Sequence, residues 1–110
     1  LQEECISLIQ TADNGFVFSG FNFSNDYDFT GLNHGDKDMM VVKTDSLGNK
    51  LWARAYGGIG AEQALGLSLD WDGNILVCGE DSFASGDCNK LNGGLDAWIL
   101  KLNQLNGDTL

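Results

Sequence analysis

The sequence predicts an all-β protein made of two consecutive antiparallel meanders, each of four strands. Fifteen glycines and no proline occur among the 110 residues, and many glycines between short apolar runs indicate many tight turns. The chain also matches itself after a shift of 59 residues, which is typical of repeat architectures. No stretch combines a helical period with capping signals. Since 43% of the residues are hydrophobic, the chain has enough apolar side chains for a packed core.

The internal repeat extends over nearly the whole chain. The segment "DNGFVFSG" (Asp13–Gly20) falls on "DGNILVCG" (Asp72–Gly79). Further along, "DMMVVK" (Asp38–Lys43) falls on "DAWILK" (Asp96–Lys101) after a slip of one residue. The similarity therefore describes a complete structural unit and not an isolated motif.

We expect one unit over residues 1–58 and a second over residues 59–110. In each unit a turn signal, DNG at Asp13 or DGN at Asp72, separates the first two apolar runs. A longer polar loop joins runs two and three, and a glycine-containing turn joins runs three and four. The predicted strands are Glu4–Thr11, Phe16–Phe23, Lys37–Thr44, Asn49–Tyr56, Gln63–Asp70, Asn74–Asp81, Leu95–Leu102 and a truncated fourth strand of the second unit that begins at Asp108.

Several of these runs are apolar at every position, as in Phe16–Phe18, Met39–Val42 and Trp98–Leu100. A sheet with one solvated face should alternate apolar and polar residues instead. Sheets covered on both faces by neighbouring sheets explain the pattern, and radial repetition of four-stranded units is the plan of a β-propeller. A β-solenoid is the competing repeat plan, but its repeats are usually much shorter. The fold class predicted is therefore two blades of a β-propeller, as a segment of a larger ring.

The segment "LWARAYGG" closes the first unit and predicts a structural joint between blades. Trp52 and Tyr56 are separated by an even number of residues, so on a strand they point to the same face and can cover a neighbouring sheet. Gly57 and Gly58 then allow the backbone to turn toward the next unit. The alternative interpretation is an exposed aromatic platform for a sugar or a base.

With these motifs in order, the sequence resembles the β-propeller repeats of secreted and surface proteins of the Bacteroidetes. The resemblance rests on "WARAYGGIGAEQALGLSLDWDGNILVCGEDS", "GGLDAWILKLN" and "NGD". It is weaker in the first unit, where Met40 stands in place of Trp98. It implies an extracellular or cell-surface location and export by the type IX system. Because Leu110 matches Leu51, it also implies that neighbouring blades from a longer chain, or from copies of this one, complete the ring.

Charge and cysteine content restrict the classes of partner. The formal net charge of −10 repels nucleic-acid backbones and anionic membranes, and no apolar run approaches the ~20 residues of a membrane helix. Cys5 and Cys78 lie in apolar runs and are predicted to be buried. A bridge from Cys78 to Cys88 is a minor alternative.

The polar loop of the first unit offers the one candidate metal site. Asn25, Asp26 and Asp28 are closely spaced oxygen donors of the kind that bind Ca²⁺, although a solvated turn explains them as well. His34 has a glycine, Gly93, at its matching position, so the repeat does not require it. No nucleophile motif, phosphate-binding loop or metal-ligand cluster occurs, and we expect no catalytic residues and no cofactor.

These observations favour a non-catalytic scaffold or binding module that contacts surface proteins or glycans. A lectin-like carbohydrate binder is the second hypothesis, on account of Trp71, Trp98 and Tyr27. Part of a propeller-fold polysaccharide hydrolase or lyase is the third. The first strand and the outer faces of both sheets should also be apolar, through Ile6, Leu8, Phe16, Phe18 and Met40. Two blades alone would leave at least one of those faces uncovered and in need of a partner.

Overall fold

The computed structural model describes residues 3–22, 38–56, 62–81 and 96–110. These residues form two antiparallel sheets and contain no helix, so the predicted all-β class is confirmed. The strands are β1 (Glu3–Gln10), β2 (Phe16–Asn22), β3 (Asp38–Thr44), β4 (Lys50–Tyr56), β5 (Glu62–Leu69), β6 (Ile75–Asp81) and β7 (Asp96–Leu102). The first sheet has the strand order β1-β2-β3-β4 and the second has the order β5-β6-β7.

Every strand bound lies within one residue of the prediction. After β7 the chain begins to pair with that strand again through a single bridge between Leu102 and Thr109. The amide of Leu110 also donates to the carbonyl of Lys101, at 2.8 Å. The second sheet therefore has three strands, and the predicted start of a fourth strand at Asp108 is seen only as this isolated bridge.

Four tight turns each contain one residue with a positive φ, and these residues occupy matching positions of the repeat. Asn14 (φ 66°) and Gly73 (φ 82°) lie in the β1–β2 and β5–β6 turns. Gly48 (φ 87°) follows β3, and Gly107 (φ 79°) follows β7. Left-handed backbone favours glycine and, less strongly, asparagine. The turn signals therefore reflect a backbone requirement that both units share.

The two sheets pack face to face and share one hydrophobic core. Strand β5 lies against β1, β2 and β3 of the first sheet. Because side chains alternate along a strand, each sheet has a contact face toward the other sheet and an outer face away from it. The buried residues of the shared core are Val17, Met39, Val41 and Tyr56 from the first sheet, and Ala64, Ile75, Val77 and Leu102 from the second.

The contact joins two different sides of the repeated unit. Ile75 and Val77, on the contact face of the second sheet, match Phe16 and Phe18 on the outer face of the first. In the opposite direction Val17, on the contact face of the first sheet, matches Leu76 on the outer face of the second. The interface is therefore heterologous, with one side of a unit against the other side of the next.

Two predictions of burial were wrong. Cys5 and Cys78 were expected to be buried, but both are exposed free thiols, because Cys78 lies on the outer face of β6 and Cys5 stands beside the bulge in β1. Met40, on the outer face of the first sheet, is only 3% accessible. It pairs with Gly20, which has no side chain, and with Ala55, which has only a methyl group, and these neighbours leave room for its flexible side chain to lie along the sheet.

The rest of the predicted outer face is open to different degrees. Ile6 is 41% exposed and Leu8 61% exposed, while Phe16 and Phe18 are half-buried. Four of the five residues named for the apolar outer faces therefore retain accessible surface in the folded chain.

Candidate functional site

The edge strand β4 holds the turn that follows β7. The indole nitrogen of Trp52 donates to the carbonyl of Gln104 at 3.1 Å. The phenol of Tyr56 donates to the carbonyl of Gly107. Between them, Nη1 of Arg54 donates to Oδ1 of Asp108 at 2.7 Å and to the carbonyl of Asn106 at 3.3 Å. We call Trp52, Arg54 and Tyr56 the clamp, and residues 104–108 the clamped turn.

The local sequence explains why these three side chains act together. Trp52, Arg54 and Tyr56 occupy alternate positions of β4 and so share one face, opposite Lys43, Val41 and Met39 of β3. That face is the contact face of the first sheet. The turn after β7 lies over this face, so its backbone carbonyl groups are within hydrogen-bonding distance of the clamp.

Gly107 lets the clamped turn approach the clamp closely. A Cβ at Gly107 would lie 2.9 Å from Cζ3 of Trp52 and from Oη of Tyr56, and 3.0 Å from Cγ of Arg54. The matching glycine of the first unit, Gly48, has a similar positive φ but nothing within 4 Å of such a Cβ. Glycine is thus required at both positions by the backbone, and at position 107 also by the contact between the sheets.

Burial, more than charge, gives the clamp its strength. Tyr56 is 2% exposed and its hydroxyl is satisfied, so its ring contributes hydrophobic and polar terms together. The Arg54–Asp108 ion pair joins side chains that are 42% and 61% exposed, and such solvent-screened pairs contribute little. Arg54 also lies over the Tyr56 ring, 5.9 Å from its centroid.

Sequence reasoning selected Trp52 and Tyr56 but missed Arg54 and Gly107. The signals were present: Arg54 lies midway between the two aromatics on the same strand face, and Gly107 matches Gly48 in the repeat. Gly57 and Gly58, predicted to complete the joint, lie outside the described residues.

A buried lysine fastens the β1–β2 turn to β3. Nζ of Lys43 lies 3.0 Å from Oδ2 of Asp13 and 3.4 Å from Oγ1 of Thr11. The Thr11 hydroxyl and the Gly15 amide also donate to Asp13. The hydrogen bond from Thr11, followed by those from Lys43 and Gly15, holds the pKa of Asp13 well below its usual range.

The second unit contains an equivalent lysine–aspartate pair, but its aspartate stands two positions earlier in the repeat than Asp13 does in the first unit. Lys101 matches Lys43, and its Nζ lies 2.8 Å from Oδ2 of Asp70, which matches Thr11. The bond from Lys101 lowers the pKa of Asp70, and Asp70 raises the pKa of Lys101. Oδ1 of Asp70 also accepts from the amides of Asp72 and Asn74, each at 2.9 Å. These lysine–aspartate pairs hold turns in place, which is a structural role.

The candidate calcium ligands Asn25, Asp26 and Asp28, and also His34, lie outside the described residues. Within residues 3–22, 38–56, 62–81 and 96–110, no group of three or more His, Cys, Asp or Glu side chains is placed to hold a metal ion. In the same part of the chain, no helix is long and apolar enough to cross a membrane. The calcium site stays a prediction.

The side chain of Trp71 is fully exposed. It lies at the tip of the β5–β6 turn, and the matching residue of the first unit is Ala12. Since Ala12 serves in an equivalent turn, the fold does not require a tryptophan there. Tyr27 and the side chain of Trp98 lie outside what the structure describes.

The outer face of the second sheet carries a shallow apolar groove of about 220 Å³. Ile99 is 72% exposed beside it, and the thiol of Cys78 is accessible. Gly66 deepens the groove because a Cβ there would lie 3.0 Å from Sγ of Cys78. Exposed apolar surface of this kind is typical of an interaction site.

No protein-family model matches this chain, and no curated protein matches it significantly. The features on which a functional proposal can rest are therefore the clamp, the heterologous contact between the sheets and the exposed outer faces.

Proposed function

We propose that this chain is a two-blade portion of a β-propeller-type protein and acts as a non-catalytic structural and binding scaffold at the cell surface. The observation that carries the proposal is the clamp, in which the edge strand of one unit holds the last turn of the next. A contact of this kind uses opposite sides of the repeated unit, so further units can be added in the same way. Radial addition of four-stranded units gives a propeller.

The surface location rests on the resemblance to secreted propeller repeats of the Bacteroidetes, with export through the type IX system. The net charge of −10 agrees with a partner other than nucleic acid or an anionic membrane. Partners of opposite or neutral charge, such as surface proteins and glycans, fit this composition.

A polysaccharide panel tests the scaffold proposal against the hydrolase or lyase alternative. The purified chain is incubated with neutral and acidic polysaccharides, and new reducing ends and unsaturated products are measured. We expect no release above that of a heat-denatured sample. Release that is abolished by replacing one acidic residue, with the melting temperature unchanged, would overturn the non-catalytic assignment.

Glycan binding is a second candidate function, and Trp71 is the observation that favours it. The indole is fully exposed beside Leu69, Asp70 and Leu76, and apolar ring faces next to a carboxylate suit a sugar. A glycan array with the chain and its Trp71→Ala variant tests this, with Leu105→Ala as a matched exposed control. Binding that only Trp71→Ala removes supports it, and an array with no signal counts against it.

A further inference from the structure

The intrachain contact between the sheets leaves its two complementary sides uncovered elsewhere on the same molecule. On the outer face of the second sheet, Ile99 is 72% exposed, and Leu76 retains accessible surface. Their counterparts on the contact face of the first sheet, Val41 and Val17, are completely buried. The same two positions of the repeated unit are therefore buried in the first sheet and accessible in the second.

The outer face of the first sheet shows the converse relation. Leu8 is 61% exposed and Phe18 is half-buried. The residue that matches Phe18 on the contact face of the second sheet, Val77, is completely buried, and the residue that matches Leu8, Leu67, packs against the core. The first sheet thus exposes apolar side chains at positions that the second sheet uses for contact.

We propose that the outer face of the second sheet of one copy docks on the outer face of the first sheet of a second copy. This docking repeats the apolar part of the intrachain contact between chains, without the clamp, since the three described strands of the second sheet include no counterpart of β4. The inference rests on the proposed function, because it takes the intrachain contact as the template. The occupant is a second copy because the chain itself presents both faces, and each has the chemistry that the other meets inside the chain.

The geometry makes this association heterologous. An isologous dimer would place Ile99 against its own counterpart, whereas the intrachain template places the Ile99 side of one unit against the Leu8 side of another. Each copy contributes two units, so repeated docking either closes a ring or continues as an open assembly. Trp71, at the border of the docking face beside Leu76, is the kind of residue that often dominates such contacts.

Charge makes the association depend on salt in a defined direction. Each copy carries a formal net charge of −10, and copies repel one another at low ionic strength. Added salt screens the repulsion, with a Debye length near ~10 Å at 0.1 M. The apparent mass is therefore expected to rise with salt as well as with concentration.

The test uses light scattering on the 110-residue chain and on two variants, Ile99→Asp and Leu8→Asp. The unmodified chain should show a mass that is a multiple of 11.9 kDa and that grows with concentration. Each variant alone should be a monomer, because one of its two docking faces carries a charge. Leu47→Asp is the matched control, since Leu47 is 85% exposed in the turn between β3 and β4, and this variant should associate like the unmodified chain.

The decisive experiment is light scattering on a mixture of the Ile99→Asp and Leu8→Asp variants. Ile99→Asp keeps its Leu8 face and Leu8→Asp keeps its Ile99 face, so an equimolar mixture should form a dimer and stop there. Circular dichroism and thermal melts confirm that each variant is folded, and Ile99→Ser with Leu8→Ser provides a milder second pair.

Three results would overturn the proposal: an unmodified chain that stays monomeric at all concentrations and salts, association that only Ile99→Asp removes, or a mixture that remains monomeric. None of these affects the intrachain clamp, which is tested separately by its own variants. The failure of self-docking is therefore distinguishable from the failure of the proposed scaffold.

Discussion

At the scale of single residues, Lys43 and Asp13 show how a buried cation is accommodated between two sheets. The side chain of Lys43 is only 4% exposed, whereas that of Asp13 is 57% exposed. The lysine stem is thus covered while its ammonium group reaches a carboxylate at the surface. The sequence indicated a turn at Asp13, but the ion pair depends on β3 lying beside the turn, which no local pattern shows.

The depressed pKa of Asp13 predicts a loss of stability in acid. A carboxylate whose pKa is lower in the folded state stabilises the fold above its unfolded pKa, near ~4, and loses this contribution as the pH falls toward the folded value. The melting temperature should therefore fall as the pH is lowered from about 5 to about 2.

Asp13→Asn should flatten that acid dependence, since the amide does not titrate. Asp72→Asn, at the matching position of the second turn where the lysine pairs with Asp70 instead, is the control. Thermal melts across the pH range measure the slopes. Equal slopes for the unmodified chain and Asp13→Asn would show that the pair does not couple to folding.

Ser19 offers a substitution that should stabilise the protein. Its side chain is completely buried on the contact face of the first sheet, and its hydroxyl has no hydrogen-bond partner among the described residues. Ser19→Ala removes an unsatisfied buried group and should raise the free energy of unfolding by ~1 kcal/mol. Chemical denaturation measures the change, with the exposed Ser46→Ala as the neutral control. Clear destabilisation by Ser19→Ala would mean that the hydroxyl is satisfied in solution.

At the scale of elements, the strands and turns could be predicted from sequence because both are set locally. The turns need left-handed residues at Asn14, Gly48, Gly73 and Gly107, and only glycine and asparagine accept that backbone readily. The apolar runs between such turns are 7–8 residues long, which is the length of a strand and too short for a typical helix. The bounds consequently follow from the sequence to within one residue.

The sequence does not show in the same way which face of each strand is buried against the other sheet. A run such as Phe16–Phe18 is apolar on both sides, so alternation does not show which side meets the other sheet. The exposure of Cys78 depends on that choice, which is why its predicted burial was wrong. The clamp was predicted in part, because its aromatics share one strand face, whereas its turn lies 51 residues away from Tyr56.

A pair of matched glycine substitutions tests the clamp. Gly48→Ala should cost ~1–2 kcal/mol, the strain of a left-handed alanine. Gly107→Ala carries the same strain and also places a methyl group against Trp52, Arg54 and Tyr56, where overpacking adds ~1–3 kcal/mol. The difference between the two free energies of unfolding isolates the contact. Equal losses in the free energy of unfolding would show that the clamped turn does not pack closely against the side chains of β4.

At the scale of the whole molecule, the two sheets share their buried side chains. Ile75, Val77 and Leu102 of the second sheet pack with Val17 and Val41 of the first. Neither sheet keeps that core if the other unfolds, because each supplies one side of it. The account therefore predicts one cooperative unit, even though the repeat divides the chain into two.

Hydrogen exchange of a core variant tests this central claim most directly. Val77→Ala removes two methyl groups from the second sheet and should cost ~2 kcal/mol, with Leu105→Ala as an exposed control that costs little. If the sheets unfold together, Val77→Ala should lower the free energy of opening by the same amount for the slowest-exchanging amides of β2 and β3 as for those of β6. A loss confined to β5, β6 and β7, with the first sheet unchanged, would contradict the shared core.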